Sequence, residues 1–216
     1  MTGQMTPATS TVLKVYLISD FNVEVMRQYL ANEASAVNLS VSSAPFGQVF
    51  PALLELDPAE TQDFAVVWTS PEIILPTFAQ ALDYAPIADD QLFSEIHEFA
   101  ECLRKAQQRF RAIFVVSWTL PRFIRGNGIL SLKGQGIRKL LLKINLKLSE
   151  ELEACGSIYP LDAQRWMEAV GKNCYSPKMW YMTKTRFHAE VFRQAAGDVR
   201  AAISAVLGAS KKARDR

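Results

Sequence analysis

The chain has 216 residues, 49% of them apolar, enough to bury a full core as one domain of ordinary size. Its 24 Lys and Arg against 22 Asp and Glu leave a formal charge of +2 in mixed signs, so no field argues for nucleic acid as a partner. No apolar stretch approaches the roughly 20 residues of a membrane span, residues 1–11 lack the basic and apolar regions of a signal peptide, and Cys102, Cys155 and Cys174 form no C-x-x-C pair, which suits a reducing cytoplasm.

The run at 12–18 is β-rich and nearly continuous in apolar residues, the pattern of a strand covered on both faces. It leads directly into Ser19-Asp20-Phe21-Asn22, ahead of a helix expected from near Val23. Further strands are expected at 36–41, 64–68, 112–118 and 157–161. Over 89–111 the apolar residues Leu92, Ile96, Phe99, Leu103, Ala106 and Phe110 step by four and three, with Asp89 or Asp90 placed to cap the helix start. The segment 121–136, with four glycines and alternating Arg and Lys, is the candidate mobile loop or lid. A second helical stripe follows in Ile137, Leu141, Ile144, Leu148 and Leu152, and Gly156 suits its left-handed C-cap. The basic run at 133–147 reads at the same spacing as that helix's solvated face. Phe187, Val191, Ala195, Val199, Ile203 and Val206 make a third stripe, which Gly208 is expected to end.

Strands alternating with helices of this length require crossover connections. The expected fold is therefore a three-layer α/β/α sandwich with a mostly parallel, five-stranded, flavodoxin-like sheet. The domain is expected over 12–208, with a flexible arm at 1–11 and a basic tail or linker at 209–216. In such open sheets ligands bind at the carboxyl ends of the strands. Here that edge collects Ser19 to Asn22, Ala44 to Gln48, Thr69 to Glu72 and Thr119 to Arg122.

Acyl chemistry by a nucleophile needs a serine, a base, a group that orients the base, and oxyanion donors. Ser19 and His188 are the candidates, with Asp20 and Asn22 in the same turn; Gly47 is placed to lend a backbone N–H, and Thr69 or Ser70 a hydroxyl. Each has a plainer reading. Ser19-Asp20-x-Asn22 is also an ordinary helix-capping cluster, and His188 on the first turn of the last helix suits a capping or surface residue as well as a neutral base. Asp162, before a short helix at 163–170, suits a cap or a carboxylate of the site. His97 reads as an exposed helix residue. The two histidines lie far apart and no thiol or carboxylate cluster has ligand spacing, so neither a metal nor a cofactor is expected. No glycine-rich phosphate loop follows the first strand.

Two larger resemblances organise these residues. A polar turn after the first strand with a late His at the last helix resembles the layout of SGNH (GDSL-type) hydrolases. Ser19-Asp20-Phe21-Asn22-Val23 followed by Ala44-Pro45-Phe46-Gly47-Gln48-Val49 resembles the N-terminal SGNH-like domain of FkbH-like proteins. Phe64 to Ser70 (FAVVWTS), Ile158 to Asp162 ahead of Gly171, Trp180-Tyr181, and Val206-Leu207-Gly208 before Lys211-Lys212 continue that likeness over nearly all of 12–212.

The FkbH-like resemblance implies a haloacid-dehalogenase-type phosphatase domain or subunit as partner. After Lys212 the chain reads Ala213-Arg214-Asp215-Arg216 where that family carries a strand and a D-x-D motif, which suits a linker, a split gene product or a stand-alone domain. It further implies work on a glyceryl-type acyl group and an acyl carrier protein, in polyketide or glycan biosynthesis. An acidic carrier would meet Arg122, Arg125, Lys133 and Arg138 near the strand ends.

Carried onto the SGNH motifs, Asp20 falls on the aspartate of Gly-Asp-Ser and Phe21 on the nucleophilic serine. Gly47 matches the second-block glycine, and Trp68-Thr69-Ser70-Pro71 replaces the Gly-x-Asn-Asp block. His188 matches the last-block histidine, with Thr185 where its aspartate belongs. Three functions stand open: an acyl-handling domain without efficient esterase activity, an SGNH esterase or acyltransferase using Ser19 and His188, and a non-catalytic interaction domain.

Overall fold

The computed structural model describes residues 12–32, 37–55, 62–121 and 131–214. Five strands, β1 (Leu13–Ser19), β2 (Leu39–Ser43), β3 (Phe64–Trp68), β4 (Ala112–Val116) and β5 (Ile158–Leu161), form one sheet in the order β2-β1-β3-β4-β5. Every neighbouring pair is parallel. The expected α/β sandwich is thus the observed one, and parallel pairing requires the helical crossovers that the sequence spacing announced.

The helices are α1 (Glu24–Asn32), α2 (Val49–Leu54), α3 (Pro71–Ile74), α4 (Pro76–Leu82), α5 (Asp89–Ala106), α6 (Ile137–Leu152), α7 (Ala163–Val170), α8 (Pro177–Thr183) and α9 (Ala189–Arg214). Because a strand alternates its side chains, β3 divides them between two cores. Ala65 and Val67 join Leu92, Ile96, Phe99 and Leu103 of α5 and Leu140, Ile144 and Leu148 of α6. Phe64, Val66 and Trp68 join Met26 and Leu30 of α1, Trp166 of α7, and Val191, Ala195 and Val199 of α9. Each fully buried Leu, Ile or Val contributes roughly 1.5–3 kcal/mol, so the sandwich rests on both layers.

Several boundaries differ from expectation, each for a local reason. β2 begins at Leu39 and is half-exposed along its length, as an edge strand must be, so its period is weaker than that of a covered strand. Ala88 precedes α5 without a side-chain cap, and Asp89 instead pairs with Lys143 of α6 at 2.5 Å. The buried stripe of α6 runs through Leu140, with Leu141 only partly buried beside it. Glu153 in right-handed conformation ends α6, and Gly156 is not among the positive-φ glycines, so it makes no left-handed cap. α9 continues through Gly208 to Arg214; glycine in an exposed turn of helix costs only about 1 kcal/mol and does not by itself stop one.

Within the expected lid, residues 122–130 lie outside the described residues. The part that follows is tied down, since the Gln135 side chain donates to the Ile87 carbonyl at 2.6 Å. No described helix is long and apolar enough to cross a membrane.

Candidate functional site

The strand order changes direction between β1 and β3, and the crevice of an open parallel sheet opens at that point, beyond the carboxyl ends. Ser19 pairs with Trp68 in the ladder, which brings the next residues, Asp20 and Thr69-Ser70, side by side. The Asp20 carboxylate accepts from the Ser70 backbone N–H at 2.9 Å and from the Ser70 hydroxyl at 3.1 Å. That hydroxyl in turn accepts from Arg186, whose Nη1 also meets Glu72 Oε1 at 3.0 Å. Asp20, Ser70 and Arg186 are all buried. Asp20, Ser70, Arg186 and Glu72 thus form one polar chain across the sheet edge.

Burial pushes the Asp20 carboxyl up to about 6, outweighing the Ser70 hydrogen bonds and the Arg186 charge that pull it down. A carboxyl held in this range keeps its proton further toward neutrality than an exposed one. The Ser70 hydroxyl donates to it and receives from the guanidinium, so the chain has a fixed direction.

Phe21, the residue after Asp20, is buried in an aromatic cluster. Its ring lies edge-on to Trp68 at 5.5 Å and to Phe187 at 5.6 Å, while Phe187 stacks on Trp68 at 5.0 Å. An apolar ring therefore fills the position that the SGNH alignment gives to the nucleophile.

Ser19 is 5% exposed and accepts the Phe21 N–H at 3.2 Å, a local turn bond. It lines an open cleft of about 430 Å³ together with Asn22, Phe46, Met182, Thr183 and Lys184. Asn22 Oδ1 accepts from Glu24 N at 2.9 Å, closing the start of α1, and its Nδ2 donates to the Thr183 carbonyl at 3.2 Å. Gly47 sits beside Phe46 in an exposed turn with φ +75°, a conformation that favours glycine whatever its chemistry. The Thr69 hydroxyl accepts from the Trp118 indole at 3.0 Å.

His188 is exposed at the head of α9, where Nδ1 accepts from Glu190 N at 3.3 Å. Its backbone N–H donates to the Cys174 carbonyl at 2.8 Å. The imidazole and the Ser19 hydroxyl share no hydrogen bond, each having its own backbone partner. The structure thus joins Asp20 with Ser70, sets Ser19 and Asn22 on the cleft, and gives Thr69 and His188 other bonds. Asp162 caps α7 by accepting from Gln164 N at 2.9 Å, and exposed His97 meets Glu151 at 3.0 Å. Among the described residues no three His, Cys, Asp or Glu side chains come together as metal ligands.

Sequence reasoning missed Arg186 and its pairing with Glu72, a residue it placed only by position at the sheet edge. A single buried arginine has no period and no motif, and its partners lie 114 and 116 residues away. The one available signal was a charged residue between the apolar Phe187 and Thr185 where a strand-like segment leads into the last helix.

No family model matches the sequence, and a search of curated proteins finds no match. Solved structures do match in fold. The N-terminal part of the protein BF1531 from Bacteroides fragilis, containing a phosphatase domain complexed with Mg, superposes with a TM-score of 0.71 at 14% identity. It covers 91% of this chain, which spans 53% of that one. The acetyl xylan esterase AlAXEase gives 0.52 at 12% identity, with 88% of this chain and 100% of that chain covered. SsfX3, a salicylyl-acyltransferase from a tetracycline biosynthetic pathway, gives 0.50 at 15%, covering 92% of this chain and 56% of its own. The chain therefore has the SGNH hydrolase-like α/β fold, and its likeness to the N-terminal part of a phosphatase-bearing protein agrees with the FkbH-like resemblance of its sequence.

Proposed function

We propose that this chain is an acyl-handling domain of an FkbH-like biosynthetic system, positioning an acyl group or its carrier beside a phosphatase unit, without efficient ester hydrolysis. The observation that carries this reading is Phe21: buried among Trp68 and Phe187, it supplies neither nucleophile nor proton where an SGNH hydrolase needs both. The open cleft at Ser19 supports a ligand at the sheet edge, and a fold shared with an acyltransferase supports acyl chemistry there.

Turnover of a short activated ester tests the reading against the esterase alternative. Wild type, Ser19→Ala and His188→Ala should give equal rates at the level of the uncatalysed background. A wild-type rate that both substitutions abolish would establish the Ser19 and His188 esterase instead; Ser19 lining the cleft is what makes that comparison necessary.

The carrier protein is tested separately. Arg122 and Arg125 lie outside the described residues, while Lys133 and Arg138 are exposed ahead of and on the first turn of α6. An acidic carrier should bind weakly and lose affinity with salt, because opposite charges speed encounter more than they add affinity. A Lys133→Glu, Arg138→Glu variant should bind it less well at low salt; equal binding removes this surface from the proposal.

A further inference from the structure

The outer face of α6 leaves a row of side chains exposed. Arg138, Leu142, Leu146 and Glu150 recur every fourth residue, so they follow one ridge of the helix, on the side away from the buried Leu140, Ile144 and Leu148. Leu142 and Leu146 are each 62% exposed, with Arg138 and Glu150 exposed at the two ends of the row. The flank of α6 that faces α5 uses its charges within the chain, Lys143 pairing with Asp89 and Lys147 with Glu151. Among the described residues neither Arg138 nor Glu150 takes part in an ion pair.

Their signs also run against the helix that carries them. A helix is stabilised by acidic residues in its first turn and basic residues in its last. α6 has no acidic residue in the first and no basic residue in the last; Arg138 and Glu150 fill those turns with the opposite charges. Neither the stability of α6 nor a described partner within the chain therefore accounts for them.

A second copy of the same row accounts for both. Read from Arg138 the row is basic, apolar, apolar, acidic, and read from Glu150 it is the reverse, so it complements itself when antiparallel. About a twofold axis at Ile144, Arg138 of each copy falls opposite Glu150 of the other and Leu142 opposite Leu146. At about 1.5 Å of rise per residue both charges lie roughly 9 Å from that axis, so one register makes both ion pairs and both leucine contacts. Ridges of this spacing set between one another, with the helices crossing at about 50°, are the commonest way that helices pack. We propose that α6 is the interface of a homodimer, in which this row packs antiparallel against the same row of a second copy.

Sedimentation equilibrium of the 216-residue chain, at loadings from about 1 to 200 μM, should show monomer and dimer in exchange. One pair of 16-residue helices is a small interface, near the roughly 1,000 Å² at which specific association begins, so the Kd should be on the order of 10 μM. Arg138→Glu and Glu150→Arg each set like charges against one another and should each weaken the dimer about tenfold. The double variant restores opposite charges in exchanged positions and should bring the Kd back to within about threefold of wild type. That exchange also suits the helix ends, so the double variant should fold at least as well, with circular dichroism as the check.

A wild-type chain that stays monomeric at every loading would overturn the proposal. A dimer that both single variants leave intact would overturn it too, because another surface would then carry the association. So would a double variant no tighter than the single ones, since the antiparallel register requires the rescue. Arg138 is shared with the surface offered to an acidic carrier. The dimer is read with no carrier present and Glu150 lies outside that surface, so either reading can fail while the other stands.

Discussion

Replacing Asp20 with Asn should change stability in a way that depends on pH. In the folded protein burial raises the Asp20 carboxyl from 3.8 to about 6. The folded state therefore favours its protonated form, and the stability this contributes is full below about 3.8 and lost as the pH rises through about 6. That difference corresponds to about 3 kcal/mol, a large fraction of the 5–15 kcal/mol that holds a typical domain together. Asparagine cannot ionise. It keeps an acceptor for the Ser70 N–H but meets the Ser70 hydroxyl with a donor, a loss of about 1 kcal/mol that does not vary with pH. Denaturant unfolding of both proteins at several values between pH 3.5 and 7.5 should show Asp20→Asn slightly less stable in acid and more stable by about 2 kcal/mol near neutrality. Other carboxyls cancel in the difference. A difference that stays flat across this range would show that Asp20 is not held above its ordinary value, and the account of the buried polar chain would fall with it.

Phe21→Ser, which writes a serine at the hydrolase position, should cost about 3–5 kcal/mol by emptying the space between Trp68 and Phe187, and should yield no ester turnover because His188 is engaged at Glu190; thermal melts and the ester assay check both halves. Glu151, held down to about 2 by Lys147 and His97, should support α5 against α6 above pH 4.5 and lose that support as the pH falls toward 2; after allowance for solvent screening, Glu151→Gln should cost about 1 kcal/mol at pH 7 and almost nothing at pH 2. Gly47→Ala should cost about 1 kcal/mol through its φ of +75° alone, since no atom lies within 4 Å of an added Cβ, and unfolding midpoints should show it.

The layers of the fold were legible because burial on both faces of a parallel strand leaves a continuous apolar run, and burial on one face of α5 leaves a stripe at helical period. Leu92, Ile96, Phe99 and Leu103 point to the core as their spacing required. Short helices were not legible: α2, α3, α4 and α8 have too few turns to show a period, and α8 buries none of its residues. That Ser19, Asp20, Thr69 and Ser70 lie at the strand ends was legible, since strand ends follow directly from strand positions. What each side chain does there was not. Whether Asp20 faces His188 or Ser70 depends on contacts 50 residues apart in sequence, and the hydrogen bonds went to Ser70.

The same positions that would supply a hydrolase with an exposed nucleophile here anchor the segment carrying α8. Phe187 stacks on Trp68 and on Tyr175, and Tyr175 and Phe187 also pair as a short antiparallel bridge. Asn22 takes the other end of the segment, its backbone N–H donating to the Lys184 carbonyl at 3.0 Å and its side chain to that of Thr183. A seven-residue helix with no buried residue has little packing of its own, so these ties at its two ends set where it lies. Between them α8 presents Trp180 to a cavity of about 160 Å³ that Glu72, Tyr175 and Arg186 also line, and its end, with Lys184 just beyond, presents Met182 and Thr183 to the cleft at Ser19. Burying Phe21 therefore has a positive consequence beyond the loss of a serine. It completes the aromatic seat on which Phe187 rests, and through Phe187 it fixes Arg186 beside Ser70 and Glu72, so that the polar chain and the walls of both cavities depend on one ring.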